Sequence, residues 1–357
     1  MLIYSEGVFI MEIHSTGSLS RRKFLTTTAL AGTALYLGIG PNLGSAAQDP
    51  PPETTTLRLR QWAPACWAPI YVAEPLLRDE GFTDIKYVSF PGTELVNTLK
   101  RDKVDLSPSF TPLDMVNVER SNSPLTFLSG LHRGCYALVG SEDIRSVNDL
   151  KGKTVWTGAI ENNGPHLFFK TIVSYVGLNP DTDFEYLWIS KGEATKLFLE
   201  GKIDAFMSFP PGPQELMDKG IGHLLVDTNI DRPWSQYFCC TIWGHSKFVK
   251  DNPVATKRAI RAILKANDIV AQNPELATDT LLQRKIRKES ERKYVLQSMK
   301  HIPFGKWRAY NPEDSIRFYA LRLREVGMLE SQPEEFIGKY TDWSFVNALK
   351  GELAMTW

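Results

Sequence analysis

The stretch KVDLSPSFTP (residues 103–112) has a second copy 99 positions later, KIDAFMSFPP (residues 202–211), and five of the ten aligned positions are identical. Each copy follows a helical pattern, which begins at Glu94 in the first case and at Glu193 in the second. Chance similarity between two ordinary helix-to-strand joints is the alternative. A repeated α/β unit predicts two similar lobes. Because ligands of open α/β sheets bind beyond the carboxyl ends of the strands, we expect both Ser-Phe loops to face a ligand cleft.

The amino-terminal segment indicates where the protein works. SRRKFL (residues 20–25) precedes an apolar stretch over 26–40, and the small residues at 45–47 offer a peptidase site. This pattern is typical of a twin-arginine export signal. The apolar stretch is shorter than the roughly 20 residues that span a bilayer, so an uncleaved anchor is the less favoured alternative. We therefore predict a signal peptide over 1–47, a flexible lead-in over 48–56, and a periplasmic protein.

Composition excludes several classes of protein. The chain has 357 residues, of which 43% are hydrophobic and 23% are charged, so it can build one large domain or two moderate ones with proper cores. Its formal net charge is zero. Since nucleic-acid-binding proteins need a basic surface, nucleic acid is a poor candidate partner.

The four cysteines predict no metal site. They lie at positions 66, 135, 239 and 240, without the spacing of a metal finger. The adjacent Cys239 and Cys240 could not both bind one metal ion without strain. An oxidising compartment would permit one disulfide bond, but folding before export lessens the need for one. We expect buried thiols and no metal ion.

The pattern along the chain predicts a discontinuous first lobe. Strand and helix patterns alternate from Leu57 onwards, as in parallel-sheet units. A new alternating series begins at Tyr136 and leads to an apolar strand that starts at Phe238. The remainder is nearly all helical, with one helix predicted over 274–293, and carries no sheet of its own. The first lobe is therefore predicted to comprise 57–135 and 242–357, and the second lobe 136–241.

Four further motifs carry a resemblance to a known family. They are APIYVA (68–73), DLKGK (149–153), LEGKIDA (199–205) and Asn252-Pro253, which opens a long helix. In this order and spacing they resemble the periplasmic binding proteins for alkanesulfonates, taurine, nitrate and thiamine pyrimidines. The resemblance covers essentially the whole chain after the signal.

The resemblance implies an α/β chain with a type II periplasmic-binding-protein fold, in which two crossover strands join two α/β lobes. It also implies a function, that of the exported solute-binding component of an ABC importer. Such a protein captures a small molecule by hinge closure, works as a monomer with a permease in the inner membrane, and is neither an enzyme nor in need of a cofactor.

Candidate ligand contacts lie in loops that follow strands and begin helices, because free backbone N–H groups there favour anionic groups. Two tryptophans flank one such loop and suit stacking on a flat ligand. The first lobe contributes Trp62, Cys66, Trp67, Thr93, Ser109, Phe110 and Thr111, and the second contributes Asn162, Asn163, His166, Ser208 and Phe209. Since the loops hold no obvious arginine pair, we expect a small organic solute, pyrimidine-like or sulfonate-like, with the flat pyrimidine preferred.

An enzyme is the alternative from a different class. The family has a relative that makes the thiamine pyrimidine by consuming its own histidine and bound pyridoxal phosphate, with iron near a cysteine-rich run. The corresponding run here is Phe238-Cys-Cys-Thr241, with only two cysteines. This difference and the export signal both count against a synthase. A third alternative is a binding protein that delivers its solute to a sensor instead of an importer. No residue of the sequence distinguishes this alternative from the importer.

Overall fold

The computed structural model describes residues 49–90 and 103–354. The signal peptide predicted over 1–47, the helix start at Glu94 and the candidate contact Thr93 lie outside the described residues. From Pro51 onwards the chain forms one compact unit. Within the described part, every helix is too short or too polar to cross a membrane.

The strands form two five-stranded sheets of the same design. In chain order they are β1 Thr56–Gln61, β2 Asp84–Ser89, β3 Leu106–Phe110, β4 Leu125–Arg133, β5 Ala137–Gly140, β6 Lys153–Trp156, β7 Phe184–Tyr186, β8 Ala205–Ser208, β9 His223–Asp227 and β10 Phe238–His245. The first sheet has the order β2-β1-β3-β10-β4 and the second has the order β7-β6-β8-β5-β9. In each sheet the fourth strand is antiparallel to its neighbours. That strand is the one by which the chain enters from the other sheet.

The helices cover the sheets and fill the carboxyl-terminal third of the chain. They are α1 Ala68–Val72, α2 Glu74–Asp79, α3 Thr111–Ser121, α4 Gly164–Tyr175, α5 Lys191–Leu199, α6 Gly212–Asp218, α7 Ser246–Asp251, α8 Pro253–Gln272, α9 Pro274–Gln283, α10 Arg292–His301, α11 Pro312–Glu325, α12 Pro333–Tyr340 and α13 Ser344–Ala354. The single helix predicted over 274–293 is wrong, because α9 ends at Gln283 and α10 starts at Arg292. Lys285 between them has a φ of +56°, a left-handed conformation that commonly ends a helix.

The repeated stretches occupy equivalent places in the two sheets, which confirms the repeat. The carboxylate of Asp105 accepts a hydrogen bond of 2.6 Å from the backbone N–H of Arg58 on β1. The carboxylate of Asp204 accepts one of 2.9 Å from the backbone N–H of Thr154 on β6. In both copies the same aspartate therefore ties the strand that stands third in its sheet to the strand that stands second.

Two crossovers connect the sheets. The chain leaves the first sheet after Arg133 and returns to it at Phe238. The predicted lobe limits, 57–135 with 242–357 and 136–241, stay a prediction, but β10 pairs with β4 already from Phe238. The crossovers also bind each other, since the Thr228 hydroxyl accepts a 3.0 Å hydrogen bond from Cys135 N and donates one of 2.8 Å to Tyr136 O.

The carboxyl-terminal helices pack on the earlier elements, as expected of a segment without its own sheet: most contact the first sheet and its helices, while α10 and α11 also contact α6 and α4. Helix α8 buries one face, including Ala259, Ile263 and Ala266, and packs against α1 and α2. Glu53, inside the predicted lead-in, accepts hydrogen bonds from the backbone N–H groups of Val254 and Ala255 at 2.9 and 2.8 Å. This carboxylate therefore caps the amino terminus of α8, where negative charge is favourable.

Candidate functional site

A cavity of about 670 Å³ opens between the two sheets in the described part of the chain. It lies beyond the carboxyl ends of strands from both sheets, where open α/β folds bind ligands. Six of the candidate residues line it: Trp62, Phe110, Asn162, Asn163, Ser208 and Phe209. Both Ser-Phe loops of the repeat thus contribute to one cleft, although Ser109 of the first copy does not reach it.

Aromatic rings form the floor of this cleft. The Trp62 ring lies 5.9 Å from the Phe209 ring and 5.2 Å from the Trp67 ring, measured between centroids. The Tyr71 hydroxyl fixes the backbone of Trp62, because it donates to Trp62 O at 2.6 Å and accepts from Trp62 N at 3.0 Å. Trp62 is therefore held in place before any ligand arrives, which lowers the entropic cost of stacking a ligand on it.

Several candidate residues lie behind the floor instead of in the cleft. Trp67 is 1% exposed and Cys66 is 2% exposed, and both line a void of only about 10 Å³ under Trp62. Ser109 and Thr111 are fully buried, and the Thr111 hydroxyl donates to Phe238 O at 3.2 Å. The loop pattern placed these residues near the strand ends, but it could not tell which side chains turn into the core.

The loop before α4 is held by its own side chains. Asn163 is the N-cap of α4: its side-chain oxygen accepts from His166 N at 2.9 Å, and its amide donates to Ile160 O at 2.6 Å. Asn162 has a φ of +56° and its N–H donates to His166 Nδ1 at 2.9 Å. His166 therefore supports the loop from below and does not line the cavity.

Burial keeps His166 neutral. Desolvation, together with the charge of Lys170, lowers the pKa of His166 from 6.5 to about 4. Its Nδ1 accepts a hydrogen bond, so the neutral ring carries its proton on Nε2. Protonation of Nδ1 would break the bond that fixes Asn162.

We expect His166 to make the fold acid-sensitive. Because its pKa is lower in the folded chain than in the unfolded one, its stability contribution is complete above pH 6.5 and is lost as the pH falls towards 4. The free energy of unfolding should fall by about 2 to 3 kcal/mol across this window. Urea unfolding of His166→Gln should show a shallower decline over the same range. An unchanged pH dependence in this variant would contradict the assignment, and His223→Gln is the matched control.

The structure adds Arg60 to the cleft. Its guanidinium carbon lies 5.2, 5.2 and 5.0 Å from the rings of Trp62, Trp67 and Phe90, respectively, which is cation–π range. The residue is 5% exposed and lines the cavity. Within the described part of the chain, its guanidinium makes no hydrogen bond. Its N–H donors are therefore available to a ligand.

Asp114 sets the charge around Arg60. Burial raises the pKa of this carboxyl group, and Arg60 opposes the rise. Asp114 Oδ2 accepts a hydrogen bond of 2.8 Å from Trp243 Nε1. Burial also lowers the pKa of Arg60, while Asp114 raises it. The cavity thus combines an aromatic floor with the buried guanidinium of Arg60, whose charge the nearby carboxyl group of Asp114 partly balances.

Lys191 and Arg287 also line the cavity, but carboxylates balance both charges, since Arg287 forms an ion pair with Glu291, another lining residue, and Lys191 pairs with Glu215. Lys191 Nζ is 3.3 Å from a Glu215 carboxylate oxygen, and Arg287 donates to Ala63 O at 3.1 Å. The sequence shows no obvious arginine pair in the loops that follow the strands, and the two arginines that line the cavity lie outside those loops, Arg60 on β1 and Arg287 between α9 and α10. Arg60 is the penultimate residue of β1, so extending the search from the loops to the strand ends could have found it.

The four cysteines come together behind the floor, and all are buried, as predicted. Cys240 belongs to two groups of three side chains. The first group is Cys66, His132 and Cys240, and the second is Cys135, Cys239 and Cys240. Within each group the sulfur and nitrogen atoms that could bind a metal ion lie within 4.8 Å of one another. Such sulfur and nitrogen donors could hold a soft metal ion. The cluster could not be predicted from the sequence because most of its members are far apart along the chain.

A β-bulge explains how two adjacent cysteines join one cluster. The pairing of β10 with β4 shifts between Phe238 and Cys240, so Cys239 is the extra residue of the bulge. A bulge interrupts the alternation of side chains and re-aims one of them. The expected strain of Cys239 and Cys240 on the same side is thereby avoided.

Known proteins share this fold. The NMT1-like family model matches residues 138–281. A curated relative from Brucella abortus, named provisionally as a binding protein, is 25% identical over 142 residues, which is 40% of this chain. The match spans 44% of the length of that relative.

Solved structures of similar fold are mostly binding proteins. The periplasmic nitrate-binding protein NrtA of Synechocystis has a TM-score of 0.68 at 14% identity, over 85% of this chain and 90% of its own. The alkanesulfonate-binding protein SsuA of Xanthomonas axonopodis, bound to MOPS, has a TM-score of 0.63 at 17% identity, over 82% and 99%. The desulfurization enzyme DszB has a TM-score of 0.59 at 14% identity, over 84% and 99%. The expected periplasmic-binding-protein fold is confirmed.

Proposed function

We propose that this chain is the exported solute-binding component of an ABC importer, and that it captures one small organic solute in the cleft between its two sheets. The observation that carries the proposal is the cavity of about 670 Å³ lined from both sheets. Nitrate- and alkanesulfonate-binding proteins among the similar structures support the same class. The partner would be a permease in the inner membrane, reached by twin-arginine export to the periplasm, with the protein itself a monomer.

Capture would proceed by bending at the two crossovers. A solute that contacts loops of both sheets favours the closed arrangement only through contacts made to both. Trp62, Phe110 and Arg60 offer such contacts from the first sheet, and Asn163 and Phe209 offer them from the second. The equilibrium between the open and the closed arrangement then sets both the affinity for the solute and its release, and an importer needs both.

The side chains of the cleft favour a flat solute that carries an anionic group. Trp62 presents a ring for stacking, and Arg60 presents unused N–H donors beside it. Guanidinium groups match sulfonate, carboxylate or phosphate oxygens well. Of the two solute classes proposed from the sequence, Arg60 supports a sulfonate-like group, and the aromatic floor supports a ring as in a pyrimidine.

A thermal-unfolding panel tests this function. The panel comprises thiamine and its pyrimidine precursors, taurine, alkanesulfonates, aromatic sulfonates and carboxylates, nitrate and pyridoxal phosphate. A ligand at 100 times its Kd stabilises by about 2.7 kcal/mol, enough for a shift of several degrees. We expect a shift with at least one solute of the flat or sulfonate class. A shift with pyridoxal phosphate alone would support the synthase alternative, and no shift with any solute would contradict the proposed ligand class.

The two tryptophans of the first loop should differ in their effects. Trp62→Ala removes a cavity-lining ring, so it should weaken the strongest binder of the panel by about 1 to 3 kcal/mol. Trp67→Ala removes a fully buried ring, so it should mainly destabilise the fold, by about 3 to 5 kcal/mol. Calorimetric titration and urea unfolding of both variants measure the two quantities. Equal affinities for the parent chain and Trp62→Ala would contradict this placement of the site.

A further inference from the structure

The two crossovers carry a pair of thiols in direct contact. Cys135 Sγ lies 3.0 Å from Cys239 Sγ, and the residues are 2% and 0% exposed. Cys135 lies in the crossover that follows β4, and Cys239 is the bulged residue at the start of β10. We propose that Cys135 and Cys239 form a reversible disulfide bond that locks the two crossovers together.

The spacing favours a disulfide over two metal ligands. Two sulfurs bound at about 2.3 Å to one tetrahedral metal ion lie about 3.8 Å apart. The two sulfurs here are closer than that, at 3.0 Å. Forming a bond of about 2.05 Å requires them to approach by only about 1 Å. Burial raises the pKa of both thiols, so little thiolate is present near neutral pH and we expect the disulfide exchange to be slow.

A second cavity lies against one of the pair. This cavity of about 390 Å³ is lined by Cys135 together with Asp227 and His301, and it is separate from the ligand cleft. The oxidant that the proposal requires is a small disulfide such as oxidised glutathione, one sulfur of which would have to reach Cys135 from this cavity. The Cys135 sulfur attacks it and releases one glutathione thiol, which takes up the Cys135 proton. The Cys239 sulfur then attacks the mixed disulfide at Cys135 and releases the second glutathione thiol with the Cys239 proton. Two electrons pass from the protein sulfurs to the glutathione disulfide.

The bond would enclose one whole sheet. All strands from β5 Ala137–Gly140 to β9 His223–Asp227 lie between Cys135 and Cys239 in the chain. A disulfide that closes so long a loop stabilises the folded state strongly. It would also restrict bending at the crossovers, and this consequence, unlike the bond itself, rests on the proposed function.

The test counts the free thiols of the full chain and measures its mass before and after oxidation. After incubation with oxidised glutathione, the parent chain should keep two of its four thiols under denaturing conditions, without added glutathione mass. A tryptic digest should join the peptide between Arg133 and Arg145 to the peptide between Lys219 and Lys247. The thermal midpoint should rise by roughly 5 to 10 °C, and dithiothreitol should reverse the rise.

Two variants identify the cysteine partners. Cys239→Ser should accumulate a glutathione adduct on Cys135 and show no rise of the thermal midpoint, because it lacks the second sulfur. The matched control Cys66→Ser should behave like the parent chain. If Cys239→Ser does not fold in the reduced state, as judged by circular dichroism, Cys239→Ala takes its place.

Three results would overturn the proposal. The first is four free thiols after oxidation of the folded parent chain. The second is a disulfide that still forms in the Cys239 variant. The third is a stoichiometric metal ion in the purified protein, found by elemental analysis, whose removal is required before the thiols react. That result would assign the cluster to metal binding instead.

Discussion

Replacing Gly134 with alanine should lower the free energy of unfolding by about 3 kcal/mol. Gly134 has a φ of +61°, which costs an alanine roughly 1 to 2 kcal/mol. An added Cβ would also lie 2.6 Å from Asn229 Cα and 2.8 Å from Asn229 N. These are backbone atoms of the return crossover and cannot rotate away, so a packing penalty of about 1 to 3 kcal/mol is added. Gly134 is thus the residue that allows the two crossovers to touch.

The matched control for this prediction is Gly152→Ala. Gly152 also has a positive φ, +75°, but an added Cβ would meet no atom within 4 Å. Its cost should therefore be only the conformational part, about 1 kcal/mol. Urea midpoints of both variants, with equal m values, measure the difference. Equal losses in the two variants would show that the contact with Asn229 is not maintained in solution.

Replacing Arg60 with methionine should weaken the binding of an aromatic sulfonate, such as benzenesulfonate, at least about 10-fold. A hydrogen bond to a charged group contributes about 1.5 to 3 kcal/mol, and 1.4 kcal/mol corresponds to a factor of ten. Methionine keeps the apolar stem and its contact with Trp62 while removing the charge. The affinity for an uncharged pyrimidine should change much less. Calorimetric titration of both ligands gives the ratio.

Arg58→Met is the matched control. Arg58 lies two residues earlier on β1 and pairs with Asp105, with its Nη2 2.5 Å from the Asp105 carboxylate. Its loss should reduce stability without changing the affinity for benzenesulfonate. If Arg60→Met binds benzenesulfonate as tightly as the parent chain, the anionic group of the solute does not reach Arg60.

The sequence predicted the architecture well because its main signals are local. The two copies of the Lys-x-Asp stretch share a strand and a loop, and Asp105 and Asp204 bind equivalent strands. Alternation of strand and helix patterns then indicated two α/β sheets. The error at 274–293 arose at Lys285, where nothing in the composition marks a left-handed residue.

The site was only partly predictable for a different physical reason. The loops after the strands contain several residues that line the cavity, among them Trp62, Phe110 and Phe209. Which face a side chain takes depends on packing between distant segments, so Trp67 turned out to be buried. Arg60 was missed because its neighbours Trp62, Trp67 and Phe90 are brought around it only by the fold.

The cysteine cluster shows the same limit more clearly. Cys66, Cys135 and Cys239 have no informative spacing, and the bulge that turns Cys239 towards Cys135 is not encoded in a local motif. Contacts at long sequence separation depend on the sheet order. Only the antiparallel entry of β10 beside β4 places the two crossovers next to each other.

Small-angle X-ray scattering of the chain with and without its strongest panel ligand tests the central claim most directly. The claim is that one solute in the cleft contacts both sheets and draws them together by bending at the crossovers. We predict a smaller radius of gyration at saturating ligand, and Trp62→Ala, which binds more weakly, should require a higher ligand concentration for the same contraction. Unchanged scattering from a parent chain that calorimetry shows to be saturated would contradict capture by closure.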